Sequence, residues 1–98
     1  MTASLSTHVL DTGEGRPAAG VLVELTRFGE RLVTGTTDDD GRISELAAGL
    51  EPGAYRLVFH PPSPFFRRVE LELALEPGRR YHVPLLVSSY GCATYRGS

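Results

Sequence analysis

The residues of this sequence with chemistry to offer are three histidines, one cysteine, an arginine that follows an acidic turn, and the last four positions. His8 and His82 lie inside strand-like runs, Leu5-Ser6-Thr7-His8-Val9-Leu10-Asp11 and Tyr81-His82-Val83-Pro84-Leu85-Leu86-Val87. Taken singly, each reads as an ordinary strand histidine. Tyr95-Arg96-Gly97-Ser98 adds an aromatic ring, a guanidinium, a hydroxyl and an α-carboxylate. Together these groups are the inventory of a site rather than of a tail: imidazole exchanges protons near neutral pH, and a guanidinium can stabilise negative charge. Arg42 follows Asp38-Asp39-Asp40-Gly41 and by default is a solvated charge, as is Arg96. His60 abuts Pro61-Pro62-Ser63-Pro64 and reads as a solvated loop residue.

No metal is expected. Zinc motifs carry closely spaced ligand pairs, which His8, His82 and Cys92 do not form. A calcium loop needs spaced acidic ligands and a distal glutamate, whereas Asp38, Asp39 and Asp40 are contiguous and read as a solvated turn. Cys92 reads as a small core residue rather than a nucleophile.

The elements that must position these groups are short strands. Leu5, Thr7 and Val9 alternate with Ser6, His8 and Leu10, so one set faces a core and the other faces outward. Thr12 to Pro17 reads as a turn. Gly20–Arg27 is the next strand, with Val21, Val23 and Leu25 on one face. Phe28-Gly29-Glu30 is short enough for a hairpin loop, and Arg31–Thr37 follows as a strand. Arg42–Leu46, Tyr55–His60 and Arg68–Leu75 continue the pattern, the last with Val69, Leu71, Leu73 and Leu75 inward. Three prolines in four residues at 61–64 end one strand, because proline donates no ladder hydrogen bond. Pro77-Gly78 turns the chain into a final pair of strands. The expected fold is all-β, a two-sheet sandwich of seven or eight short strands around one core, with residues 1–98 as a single domain.

Length and composition agree. Ninety-eight residues suffice for one core without disulfides or a structural metal. Eleven Gly and seven Pro are spread along the chain, which favours a sandwich over a helical bundle. A net charge of -2 from interspersed residues leaves no electrostatic footprint for nucleic acid or an acidic membrane. The single cysteine rules out an intrachain disulfide. MTASLSTHVLD has no cationic start followed by an apolar stretch, and no run approaches membrane-spanning length. A soluble, cytoplasmic protein is expected.

Leu5–Thr12 (LSTHVLDT), Gly15-x-Pro-Ala18, Asp40-Gly-Arg42, His82–Leu86 (HVPLL) and the terminal TYRGS resemble the 5-hydroxyisourate hydrolases among the transthyretin-like proteins. The match runs from Leu5 to Ser98, and the terminal YRGS is its specific part, because transthyretin proper lacks that ending and the paired histidines. The resemblance implies a transthyretin-like (prealbumin-like) sandwich and a homotetramer with sites at the dimer–dimer interface. It implies hydrolysis of 5-hydroxyisourate to 2-oxo-4-hydroxy-4-carboxy-5-ureidoimidazoline in urate degradation, with no cofactor. By motif position it places catalytic roles on His8, Arg42, His82 and Ser98. Substrate contacts fall on His8, Arg42, Tyr95, Arg96 and Gly97. Which histidine is the base, and whether Ser98 acts chemically or only positions, stay open.

The sequence departs from the family's pattern in one segment. The family passes through a short helix before a Phe-Phe-Pro turn, whereas here His60-Pro61-Pro62-Ser63-Pro64-Phe65-Phe66 goes almost directly to Phe-Phe, with Arg67 in place of the proline. The helix is deleted. A smaller departure is Cys92 where the family commonly has a tyrosine. The rival reading is a non-catalytic binding sandwich of the transthyretin or carboxypeptidase-regulatory kind. Those domains share the Gly-x-Pro and Pro-Gly-x-Tyr-x-Leu patterns, which report fold more than function.

Overall fold

The structure, a computed structural model, describes residues 1–97. Among them nine strands follow one another: β1 (Ala3–Asp11), β2 (Arg16–Pro17), β3 (Leu22–Arg27), β4 (Glu30–Thr36), β5 (Arg42–Leu50), β6 (Gly53–His60), β7 (Val69–Leu75), β8 (Arg80–Val87) and β9 (Cys92–Thr94). No helix occurs among the described residues. The chain passes from β6 to β7 through residues 61–68, where Ser63 Oγ accepts the amides of Phe65 (3.1 Å) and Phe66 (2.9 Å) and donates to Ser89 O (2.9 Å). Eight strands correspond to those expected. The ninth, β2, is a two-residue pairing at the exit of the turn that follows β1.

The strands form two sheets. In the first, β1 is central: β8 pairs it in parallel along one side, while β5 and then β2 pair it antiparallel along the other. β9 pairs β8 at the outer edge. The second sheet runs β4-β3-β6-β7, antiparallel throughout. Between the sheets lie Leu5, Val9, Leu85 and Val87 from the first and Val23, Leu25, Leu57 and Phe59 from the second, all fully buried. Each such side chain contributes ~1.5–3 kcal/mol relative to exposure, which makes the alternation of the sequence the main determinant of the fold. Thr7 is buried among them and donates its hydroxyl to Val83 O at 2.6 Å, so its polar atom costs little.

Two turns fix the ends of strands. β3 and β4 are joined by Phe28 and Gly29, with φ of 53° and 79°, the pair of positive values that a type I′ hairpin requires. Phe28 accepts this at a cost, with the Arg27 guanidinium 4.8 Å from its ring centroid. Between β4 and β5, Asp38 Oδ1 accepts the amides of Asp40 and Arg42, each at 2.9 Å. Gly41 has φ 72°, and a Cβ there would lie 2.4 Å from Val9 O. The acidic turn is thus clamped on β1, and Arg42 leaves it in fixed register.

Four readings change. β3 begins at Leu22 rather than Gly20, because Val21 N is taken by Thr37 Oγ1 at 2.9 Å. β5 runs on to Leu50, through pairing of Leu50 with Ala3. His60 is the last residue of β6, its Nε2 3.6 Å from Glu24 Oε2, and is not a solvated loop residue. Cys92 is exposed and not in the core, since β9 is a three-residue edge strand whose residues all face solvent.

Candidate active site

The outward face of the first sheet gathers the residues singled out by type. His8 on β1 is the register partner of Arg42 on β5. His82 on β8 is the register partner of Ser6 on β1. Because β1 and β8 are parallel, His8 and His82 sit two residues apart on adjacent strands with their rings on the same face. Their centroids are 6.5 Å apart and the planes are tilted by 41°. Both are half-buried, while Arg42 is exposed beside them. Ser6, Arg42, Arg80, Tyr81 and His82 line an open cavity of about 420 Å³.

Each imidazole is held through one nitrogen. His8 Nε2 lies 2.9 Å from Asp40 O. A carbonyl oxygen only accepts, so Nε2 carries the proton and Nδ1 of neutral His8 keeps its lone pair. His82 Nδ1 lies 2.8 Å from Ser6 Oγ. The His82 pKa is lowered from the ordinary 6.5, first by burial, then by the positive charge of Arg42 and by His8. That shift favours the neutral imidazole, the form that can accept a proton.

Pro84 decides how the end of the chain meets this face. Its carbonyl accepts Thr94 Oγ1 at 2.8 Å, so its amide side also faces β9, where it has no N–H to give. The β8–β9 ladder stops at Leu85–Thr94 and resumes as a single bridge, Gly97 N to His82 O at 2.6 Å. Gly97 is pressed against the imidazole: a Cβ there would meet His82 Cδ2 at 2.8 Å. Its lack of a side chain permits this approach to His82.

Tyr95 and Arg96 line a different depression. It has a volume of about 440 Å³ and lies between the open edges of the sheets, against Leu71, Leu73, Tyr81 and Val83. The Arg96 guanidinium lies 5.6 Å from the Tyr81 ring centroid. The structure brings together His8, Arg42, His82 and Gly97 but does not bring the Arg96 side chain to them. Ser98 lies outside the described residues. Two contributors were missed from sequence, Ser6 and the Asp40 carbonyl. Ser6 stands on the same outward face as His8, and that alternation was the available signal; the Asp40 contact left none.

The fold and the face together define a transthyretin-like β-sandwich bearing paired imidazoles beside an arginine. The sequence profile described as HIUase/Transthyretin family matches residues 5–97, and the chain belongs to that family. It is 40% identical to 5-hydroxyisourate hydrolase 2 of Rhizobium meliloti (strain 1021) over 114 aligned positions, covering 96% of this chain and 95% of the relative. Those positions exceed the 98 residues of this chain, so the relative carries residues with no counterpart here. The structure superposes on 5-hydroxyisourate hydrolase of Klebsiella pneumoniae with a TM-score of 0.89 and 36% identity, covering 97% of this chain and 99% of that one. It superposes on sea bream transthyretin in complex with thyroxine at 0.83 and 27% identity, covering 95% and 93%.

Proposed function

We propose that this chain hydrolyses 5-hydroxyisourate in urate degradation, as a single domain, in the cytoplasm and without a cofactor. The observation that carries the reading is the pair of imidazoles, 6.5 Å apart and beside Arg42, on an open face of a sandwich that needs neither for its core. One imidazole takes a proton from water as the oxygen attacks the ring carbonyl. Arg42 faces the developing oxyanion, and the departing ring nitrogen receives a proton as the C–N bond breaks. Ser98 adds substrate contact, and Tyr95 and Arg96, which line a separate depression in the same chain, reach the substrate where a neighbouring subunit brings that depression to this face. The open cavity and exposed Arg42 fit a homotetramer in which another subunit covers this face and excludes water. Among the described residues no helix is long and apolar enough to cross a membrane.

The test is to generate 5-hydroxyisourate from urate with urate oxidase and follow its decay. Added protein is expected to accelerate decay in proportion to its concentration. Decay at the spontaneous rate would leave a binding sandwich as the better reading.

A further inference from the structure

Ser6 lies in the cavity beside His82, yet the hydrolytic step gives it no part. Its Oγ is 2.8 Å from His82 Nδ1 and 3.4 Å from Tyr81 O. A serine hydroxyl has one proton to give, a carbonyl oxygen has none, and a neutral imidazole has one nitrogen of each kind. One direction of donation serves all three groups: His82 Nδ1–H to Ser6 Oγ, and Ser6 Oγ–H to Tyr81 O. The opposite direction would put the imidazole proton on Nε2 and leave Tyr81 O without the hydroxyl. His8 is pinned the other way, through Nε2–H to Asp40 O. The two rings therefore differ in which nitrogen is free.

We propose that Ser6 is a positioning residue that holds His82 in the Nδ1–H tautomer, leaving Nε2 as the nitrogen that takes the proton from water. This role rests on the hydrolase reading. The step balances: water loses a proton to Nε2 as its oxygen bonds to the carbonyl carbon, and the imidazolium returns that proton to the leaving ring nitrogen. Ser6 gains and loses nothing over the cycle; its contact to Nδ1 strengthens while the ring is charged. The lowered pKa of His82 fits this assignment, since the ring starts each cycle neutral. Around it stand His8 on β1, Arg42 on β5 and Arg80 on β8.

Long-range proton–nitrogen NMR of the His82 ring at neutral pH, with kinetics on Ser6→Ala and Ser6→Thr, tests the proposal. In the unsubstituted protein the expected spectrum shows a protonated Nδ1 and a bare Nε2. Ser6→Ala is expected to mix the tautomers and lower kcat ~10-fold, the worth of one ordinary hydrogen bond, with KM little changed. Ser6→Thr keeps the hydroxyl and is expected to restore both readouts. A proton on Nε2 in the unsubstituted protein would overturn the proposal whether or not Ser6→Ala folds. An unchanged tautomer and kcat in Ser6→Ala would overturn it equally. Absence of hydrolysis by the unsubstituted protein would instead count against the hydrolase reading, and the spectrum would still report on Ser6.

Discussion

Gly97 and His82 are in backbone and steric contact: the Gly97 amide donates to the His82 carbonyl at 2.6 Å, and a methyl group on Gly97 would lie 2.8 Å from the imidazole. Gly97→Ala must therefore displace the ring or break the bridge. Since a misplacement of ~1 Å can cost ~10²-fold when positioning carries the rate, kcat/KM is expected to fall by about that factor. The melting temperature should hardly move, because the contact lies outside the core. Full activity in Gly97→Ala would show that the bridge does not position His82.

His8→Ala and His82→Ala are each expected to lose ~10²–10⁴-fold in kcat, the usual worth of a general acid or base. Both rings lie on the outward face, so circular dichroism and thermal unfolding should stay close to those of the unsubstituted protein. Near-normal turnover in both variants would remove the paired imidazoles from the mechanism.

Arg42→Gln is expected to raise the His82 pKa toward 6.5, because burial, Arg42 and then His8 hold it down. Where the folded pKa lies below the unfolded one, stability is complete above pH 6.5 and falls as pH drops toward the folded value. The variant should narrow that window and move the acidic limb of kcat/KM to higher pH, with lower activity throughout. An NMR titration of His82 checks the shift directly; an unchanged midpoint would show that Arg42 does not act on the ring.

A chain ending at Thr94 should fold and lack activity, since it loses the Gly97 bridge together with Tyr95, Arg96 and Ser98. Circular dichroism alongside the hydroxyisourate assay decides this. Full activity would take the terminal residues out of the site.

Light scattering is expected to show a closed tetramer at working concentration. An active monomer would mean that one copy of this face suffices.

Much of the sandwich was legible because burial follows a period of two. Leu5, Thr7 and Val9 are buried while Ser6, His8 and Leu10 are less so, and Val21, Val23 and Leu25 behave alike. What alternation cannot give is register between distant strands. That Ser6 rather than His8 pairs with His82 depends on the parallel β1–β8 alignment, which no local pattern encodes. The extension of β5 through Ala47-Ala48-Gly49 was hidden for a related reason. Alanine and glycine are poor strand formers, and tertiary pairing with Ala3 and Leu5 overrides their preference. Of the site, the titratable types were visible, but that Arg96 shares the side of Tyr81 and Val83 rather than that of His82 depends on the register that sets Gly97 opposite His82.

The parallel pairing of β1 with β8 also bears on how the molecule is made. Ser6 and His82 meet across 76 positions, so the halves of the candidate site are synthesised nearly a whole chain apart. Closing so long a loop is entropically costly and slow compared with forming the hairpin of β3 and β4. Local hairpins are expected to form while β8 is still unmade, exposing the edge of β1 that takes β8 until the last strands arrive. Activity regained during refolding should then lag behind strand content, so that turnover reports completion of the fold rather than its onset.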